Sequence, residues 1–264
     1  MLKSLSYLIQ TQVLRKKRLR ACAPDLNLAF NIAAFDVVGR SIFKRGIYEP
    51  EITRWFLKGV EFKENDVFID IGANIGWYSV LVDKYHPSCK KVFSFEPDDM
   101  NYDLFCQNIQ LNNCRRIKAE KYALSNEEGT KRLYRYSNRN LGRHSLLPIN
   151  DGDSIEISTV VLDDYWNKNT SPELFPRLIK IDTEGYEFQV LQGAKALLGV
   201  CPLIMAEFSP HFMRQAGVSP DEFLDFMYDY EYEPHLFSSN GLTVTDRGYL
   251  DQVQKNENVL WAKK

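Results

Sequence analysis

Val67-Phe68-Ile69-Asp70-Ile71-Gly72-Ala73-Asn74-Ile75-Gly76 is a nearly unbroken apolar run that ends in an acid and then in a loop with two glycines. An apolar run this short, without polar alternation, reads as a strand buried on both faces, the condition of a strand inside a parallel sheet. Gly72 lets the chain turn and lets a ligand approach the backbone, and Ala73 keeps that approach open. Gly76 permits close packing of a helix on the strand. Asn74 is a candidate cap for that helix, expected over roughly 75–85.

Outward from this stretch the alternation continues. Lys91–Phe95 reads as a second strand, 98–111 as a helix, and Ile117–Leu124 as a third strand. Leu178–Asp182 is a fourth strand, Glu187–Leu198 a helix, and Leu203–Phe208 a fifth strand. A helix fits 219–230, and 242–246 and 258–262 are candidate final strands. Strand and helix in turn mean an α/β, Rossmann-like fold: a mostly parallel sheet of about seven strands, right-handed crossovers, and helices on both faces. Residues 125–160 read as an insertion, punctuated by Gly129, Gly142, Pro148 and Gly152, with strand-like pieces at 131–136 and 155–161. Upstream, 1–62 reads as a helical extension packed on a main domain of 63–264. Within it Glu49-Pro50-Glu51 starts a helix that Lys58-Gly59 closes.

The chain of 264 residues is long enough for one α/β domain, and its 44% hydrophobic and 26% charged residues are a globular mixture. A net charge of -2 speaks against a nucleic-acid binder. Cysteines at 22, 89, 106, 114 and 201 are odd in number and lack Cys-x-x-Cys spacing, which argues against a disulfide framework or structural zinc and fits a reducing, cytoplasmic setting. No apolar run is long enough to span a membrane. The first twenty residues carry Lys3, Arg15, Lys16, Lys17, Arg18 and Arg20 and no acid. They read either as a basic amphipathic helix resting on an anionic membrane or partner, or as a solvated terminal helix packed on the domain; the second is the plainer expectation.

Ligands of such sheets bind beyond the carboxyl ends of the strands, where the strand order reverses. The loop spacing is Gly-x-x-x-Gly, not the Gly-x-Gly-x-x-Gly that seats a pyrophosphate. Asp70 before the loop suits a ligand that carries positive charge and lacks phosphates. The second strand ends in Phe95-Glu96-Pro97, and Glu96 lies twenty residues beyond Gly76, where an acid accepts hydrogen bonds from ribose hydroxyls. Pro97 ends the strand and aims that acid outward. An adenine has a place at Ala123-Leu124-Ser125-Asn126, edged by backbone and Asn126.

Lys180 and Asp182 share a face of the fourth strand by alternation. Asp182, Glu184 and Glu187 then gather at the start of the next helix, where acids either cap and complement its dipole or serve the site. Asp182, Glu184, Glu207, His144 and His211 are candidate bases. Asp182, Glu184 and Glu207 would also suit magnesium, but no His/Asp set has ligand spacing, so no metal is expected. Trp77 and Tyr78 either stack on a ligand or pack in the core.

Asp70–Gly76, Phe95-Glu96-Pro97, Ala123-Leu124-Ser125-Asn126 and Ile179-Lys180-Ile181-Asp182-Thr183-Glu184-Gly185-Tyr186-Glu187 stand in the order and spacing of FkbM-type methyltransferases, which the sequence resembles over roughly 40–210. Tyr48-Glu49-Pro50, Asn140–Leu146 and Glu207-Phe208 resemble that family too. The resemblance implies a class I methyltransferase fold, S-adenosylmethionine as donor, and usually O-methylation of a sugar, glycan or small metabolite. The residues and the resemblance together give Glu49, Asp70, Gly72, Ala73, Asn74, Gly76, Glu96, Pro97, Ala123, Leu124 and Asp182 as candidate donor-binding residues, and Asp182, Glu184, Glu207 and His211 as candidate catalytic ones. The alternatives are a nicotinamide-dependent oxidoreductase, against which the missing third glycine counts, and an inactive binding module, against which the presence of Asp70, Glu96 and Asp182 counts.

Overall fold

The computed structural model of the chain describes residues 2–134, 144–147 and 154–264. The insertion's Gly142, Pro148 and Gly152, and the stretch Asn140–Arg143, lie outside the described residues. Helix α1 (Leu2–Leu8) runs into a π-helical turn (Ile9–Val13). A hairpin of β1 (Arg18–Ala23) and β2 (Leu28–Ala33) follows, then α2 (Val37–Arg45) and α3 (Pro50–Lys58). The hairpin corrects the expectation of a wholly helical extension. Leu19, Ala21 and Ala23 are buried while Arg18, Arg20 and Cys22 face water, a period of two. Arginine and alanine favour helices, so propensity hid a strand that burial enforces.

From β3 (Asp66–Ile71) the expected alternation sets in, with α4 (Trp77–Tyr85), β4 (Lys91–Phe95), α5 (Asp99–Leu111) and β5 (Ile117–Glu120). The third strand is shorter than expected. The chain leaves the main sheet at Lys121-Tyr122, and β6 (Ala123–Ser125) joins β7 (Gly129–Tyr134) and β8 (Ser154–Val161) in a separate sheet of order β6-β8-β7. Then come α6 (Leu162–Asn169), β9 (Phe175–Ile181), α7 (Glu187–Gln192), α8 (Lys195–Val200) and β10 (Leu203–Phe208). The last stretch holds α9 (Pro210–Gln215), α10 (Pro220–Asp229), β11 (Tyr232–Ser238), β12 (Gly241–Val244), α11 (Arg247–Leu250) and β13 (Glu257–Lys263).

The main sheet has eight strands in the order β12-β11-β13-β10-β9-β3-β4-β5. It is parallel from β10 to β5, and β13 runs antiparallel between β10 and β11. All six residues of β3 are buried. Val67, Ile69 and Ile71 enter one layer with Tyr165, Phe188 and Phe223, and Phe68 enters the other with Phe30, Phe56 and Leu81. Each such side chain contributes about 1.5–3 kcal/mol when fully buried, so the central strand is the hardest to displace. The order reverses at β3, whose neighbours are β4 on one side and β9 on the other, and a crevice opens above their carboxyl ends. Among the described residues no helix is long and apolar enough to cross a membrane.

Candidate functional site

The loop after β3 is tied down from both sides. The amides of Gly72 and Ala73 both donate to the carbonyl of Phe95 at 3.0 Å, and the amide of Asp182 donates to Ile71 O at 3.1 Å. Gly72 has φ 73°, and a Cβ there would lie 1.9 Å from the carbonyl oxygen of Asp182. Gly76 marks the start of α4, and a Cβ on it would lie 2.1 Å from the ring of Phe105; the close packing is therefore against α5. Asn74 does not cap α4. Its Oδ1 accepts the adjacent amide of Ile75 at 2.7 Å, a local bond open to it at φ 52°.

Glu96 directly follows β4 and is almost wholly buried, with Oε2 accepting the amide of Asn74 at 2.8 Å and Oε1 that of Asp98 at 2.9 Å. Burial pushes its carboxyl up to about 8, against the pull of those two amides. It lines a cavity of about 620 Å³ with Pro97, Ala123, Leu124, Tyr122, Tyr186 and His144, and no Lys or Arg stands among its described lining residues. The His144 ring lies 4.0 Å from the carboxylate of Asp98.

Gly72, Asn74 and Asp182 also line a second cavity, of about 810 Å³. Its other walls include Glu49, Ala73, Trp77, Lys180, Glu184 and Glu207. Glu49 precedes α3, accepts the Tyr78 hydroxyl at 2.5 Å, and lies 3.5 Å from the amide nitrogen of Asn258. Burial raises its carboxyl, and the charge of Asp182 adds to this. Lys180 is 2% exposed, with Nζ 3.3 Å from Asp182 Oδ2 and 3.6 Å from Asp70 Oδ1. Burial alone would lower its ammonium, but Asp182, Asp70 and Glu49 together raise it.

Glu207 accepts Asn256 Nδ2 on Oε1 at 2.7 Å, and Ser209 holds Asn256 in turn at 2.7 Å. Its Oε2 is buried without a hydrogen-bond partner among the described residues. Burial holds its carboxyl well above the usual range, reinforced by Asp182, Glu187 and Glu184. Trp77 is buried and donates to Thr53 Oγ1 at 2.9 Å.

Most of the expected residues line one or other of these two cavities, but Asp70, Gly76, Asn126, Glu187 and His211 line neither. The carboxylate of Asp70 lies beneath the loop, bonded to Ser79 and beside Lys180, and lines neither cavity. His211 stands exposed on α9, 3.2 Å from Gln215, because the short helix that Pro210 starts turns it outward. Asn126 bonds Gln192 at the surface instead of edging the cavity. Glu187 folds back on its own loop, accepting from the amides of Thr183 at 2.8 Å and Gly185 at 3.2 Å. Asn256 and Asn258 escaped the sequence reading, since only the antiparallel register that sets Asn258 opposite Glu207 brings them in. Among the described residues no group of three or more His, Cys, Asp or Glu side chains is arranged to hold a metal ion.

The sequence pattern of the methyltransferase FkbM domain matches residues 70–234, more than half of the chain. The hexuronic acid methyltransferase AglP of Haloferax volcanii is 26% identical over 193 residues, which are 73% of this chain and 72% of that protein. Methyltransferase sdnD of Sordaria araneosa is 27% identical over 176 residues, 56% of this chain and 67% of that protein. Among solved structures, methyltransferase FkbM from Methylobacillus flagellatus KT superimposes with a TM-score of 0.50 at 18% identity. That alignment covers 83% of this chain but only 49% of the larger one, so the chain spans about half the length of that structure.

Proposed function

Since the chain belongs to the FkbM methyltransferase family, we propose that it moves the methyl group of S-adenosylmethionine onto a hydroxyl oxygen of a sugar, glycan or small metabolite. The observation that carries this reading is the pair of cavities that meet at Gly72, Asn74 and Asp182. The first suits a nucleoside: Glu96 accepts from ribose hydroxyls with the lone pairs its two amide partners leave, and Pro97, Ala123 and Leu124 flank an adenine. Without Lys or Arg on its described walls, it offers little to a dinucleotide's phosphates, which counts against the oxidoreductase alternative.

The second cavity then takes the amino-acid end of the donor and the acceptor. When bound, the donor supplies a methyl group already activated by a sulfonium. Asp182, on the wall common to both cavities and oriented by Lys180, favours positive charge there. Glu49, with its carboxylate fixed by Tyr78 and on a wall of the same cavity, does the same. Glu207 is the base: one oxygen is fixed by Asn256, the other is buried with no hydrogen-bond partner among the described residues, and its raised carboxyl suits proton removal from a neutral hydroxyl. Such a base contributes about 10²–10⁴-fold, and positioning of the two reactants supplies much of the remainder. The name of the Haloferax relative, a hexuronic acid methyltransferase, supports a sugar as acceptor.

Calorimetric titration with S-adenosylhomocysteine against NAD tests the donor, and mass spectrometry of glycans and metabolites incubated with labelled S-adenosylmethionine tests the acceptor. Binding of NAD with no binding of S-adenosylhomocysteine would sink this reading.

A further inference from the structure

The transferase reading makes no use of the first twenty residues. In the segment from Lys3 to Leu14 only Tyr7 and Thr11 are buried. The Tyr7 hydroxyl donates to the carbonyl of Ala34, its ring meets that of Phe43 edge-on at 5.3 Å, and Thr11 Oγ1 donates to Tyr7 O at 2.8 Å. The helix is thus held by Tyr7 and Thr11, while its other large apolar side chains face outward: Leu5 56%, Leu8 51%, Ile9 43%, Val13 70% and Leu14 57% exposed. A terminal helix packed on a domain by its apolar stripe would show the reverse. Arg15, Lys16, Lys17, Arg18 and Arg20 follow, all exposed, and of these Arg18 is paired with Asp103 at 2.9 Å. Gln10 of the π-helical turn lines one surface hollow with Lys16, Arg18 and Arg20, so the apolar helix and the basic strand are contiguous.

We propose that this face seats the protein on an anionic lipid bilayer, with Leu5, Leu8, Ile9 and Val13 entering the boundary of headgroups and acyl chains and the basic residues meeting the headgroups. Apolar side chains flanked by charges of one sign match that boundary. A second copy of the chain would bring the two basic clusters together, and a nucleic acid would leave the leucines in water.

Flotation of the full chain with phosphatidylcholine vesicles, with and without phosphatidylglycerol, tests this. Uptake is expected only with phosphatidylglycerol, weakening as salt rises. Lys16→Gln with Lys17→Gln should lower affinity by about fivefold for each charge removed. Leu8→Ser with Val13→Ser should lower it by about tenfold or more. Both variants alter exposed side chains and should keep the wild-type melting temperature and S-adenosylhomocysteine affinity, which separates this test from that of the transferase reading. Equal uptake by both vesicles, or none, overturns the proposal. So does concentration-dependent self-association that Leu8→Ser and Val13→Ser abolish.

Discussion

The ammonium of Lys180 lies 3.3 Å from Asp182 Oδ2, at the wall the two cavities share, and Lys180 is itself only 2% exposed. Asp70 supports it from below at 3.6 Å and is 1% exposed. Three acids thus more than offset the burial that would otherwise strip its proton, and a charged Lys180 fixes the direction of Asp182.

Lys180→Met removes the one cation of this group and leaves Asp70 buried without its counter-charge. Breaking such a pair costs about 3–5 kcal/mol. Urea unfolding should record that loss, and adding Asp70→Asn should recover part of it. A single variant as stable as the wild type would mean that the ion pair carries no weight.

Glu96 links donor binding to pH. With its carboxyl pushed up to about 8 by burial, the free protein holds a proton there at neutral pH. Ribose hydroxyls select the ionised form, so S-adenosylhomocysteine affinity should rise with pH up to that value, with proton release on binding near pH 7. For stability the sign is opposite: a raised folded value stabilises below the unfolded value of the carboxyl and loses that contribution as pH rises through about 8. Calorimetry in buffers of different ionisation enthalpy reads the released proton. Glu96→Gln should abolish the release and weaken binding about 10–100-fold, the loss of a hydrogen bond to a charged group.

Gly72→Ala combines a left-handed backbone with a Cβ only 1.9 Å from a carbonyl oxygen. Because Asp182 N is bonded to Ile71 O on the same strand pair, neither side can give way cheaply. The variant should lose donor binding and melt at a lower temperature. Unchanged melting would show the loop to be more pliant than its bonds imply.

Glu207→Gln keeps the bond from Asn256 but removes the basic oxygen. Single-turnover methyl transfer should slow by about 10²–10⁴-fold while S-adenosylhomocysteine affinity holds. Wild-type turnover in this variant would move the base to another group, with Glu184 or His144 next in line.

The parts of the fold that a single strand and its loop encode were legible in the sequence. β3 is apolar throughout because both of its faces are covered, and Glu96 and Asp182 follow directly from strand ends beside it. What stayed hidden depends on contacts distant in the chain. β11 escaped notice because Pro234 breaks its strand signal; the antiparallel partner Trp261 tolerates it. The direction of His211 is decided by where a short helix starts, which residue spacing does not encode. Asp70 looks in the sequence like a ligand group because its position before the loop is visible, whereas Lys180, which occupies it, is over a hundred residues away.

β13 is the last element of the chain described and yet an inner plank of the sheet, with Trp261 fully buried between Ile204 of β10 and Pro234 of β11. During synthesis, then, β10 with β9 on one side and β11 with β12 on one side each leave the ribosome with the other edge open. The sheet is finished only when residues 257–263 have emerged. A nascent chain stalled shortly before that point should be sticky and protease-sensitive, even though every residue lining the first cavity has already been made.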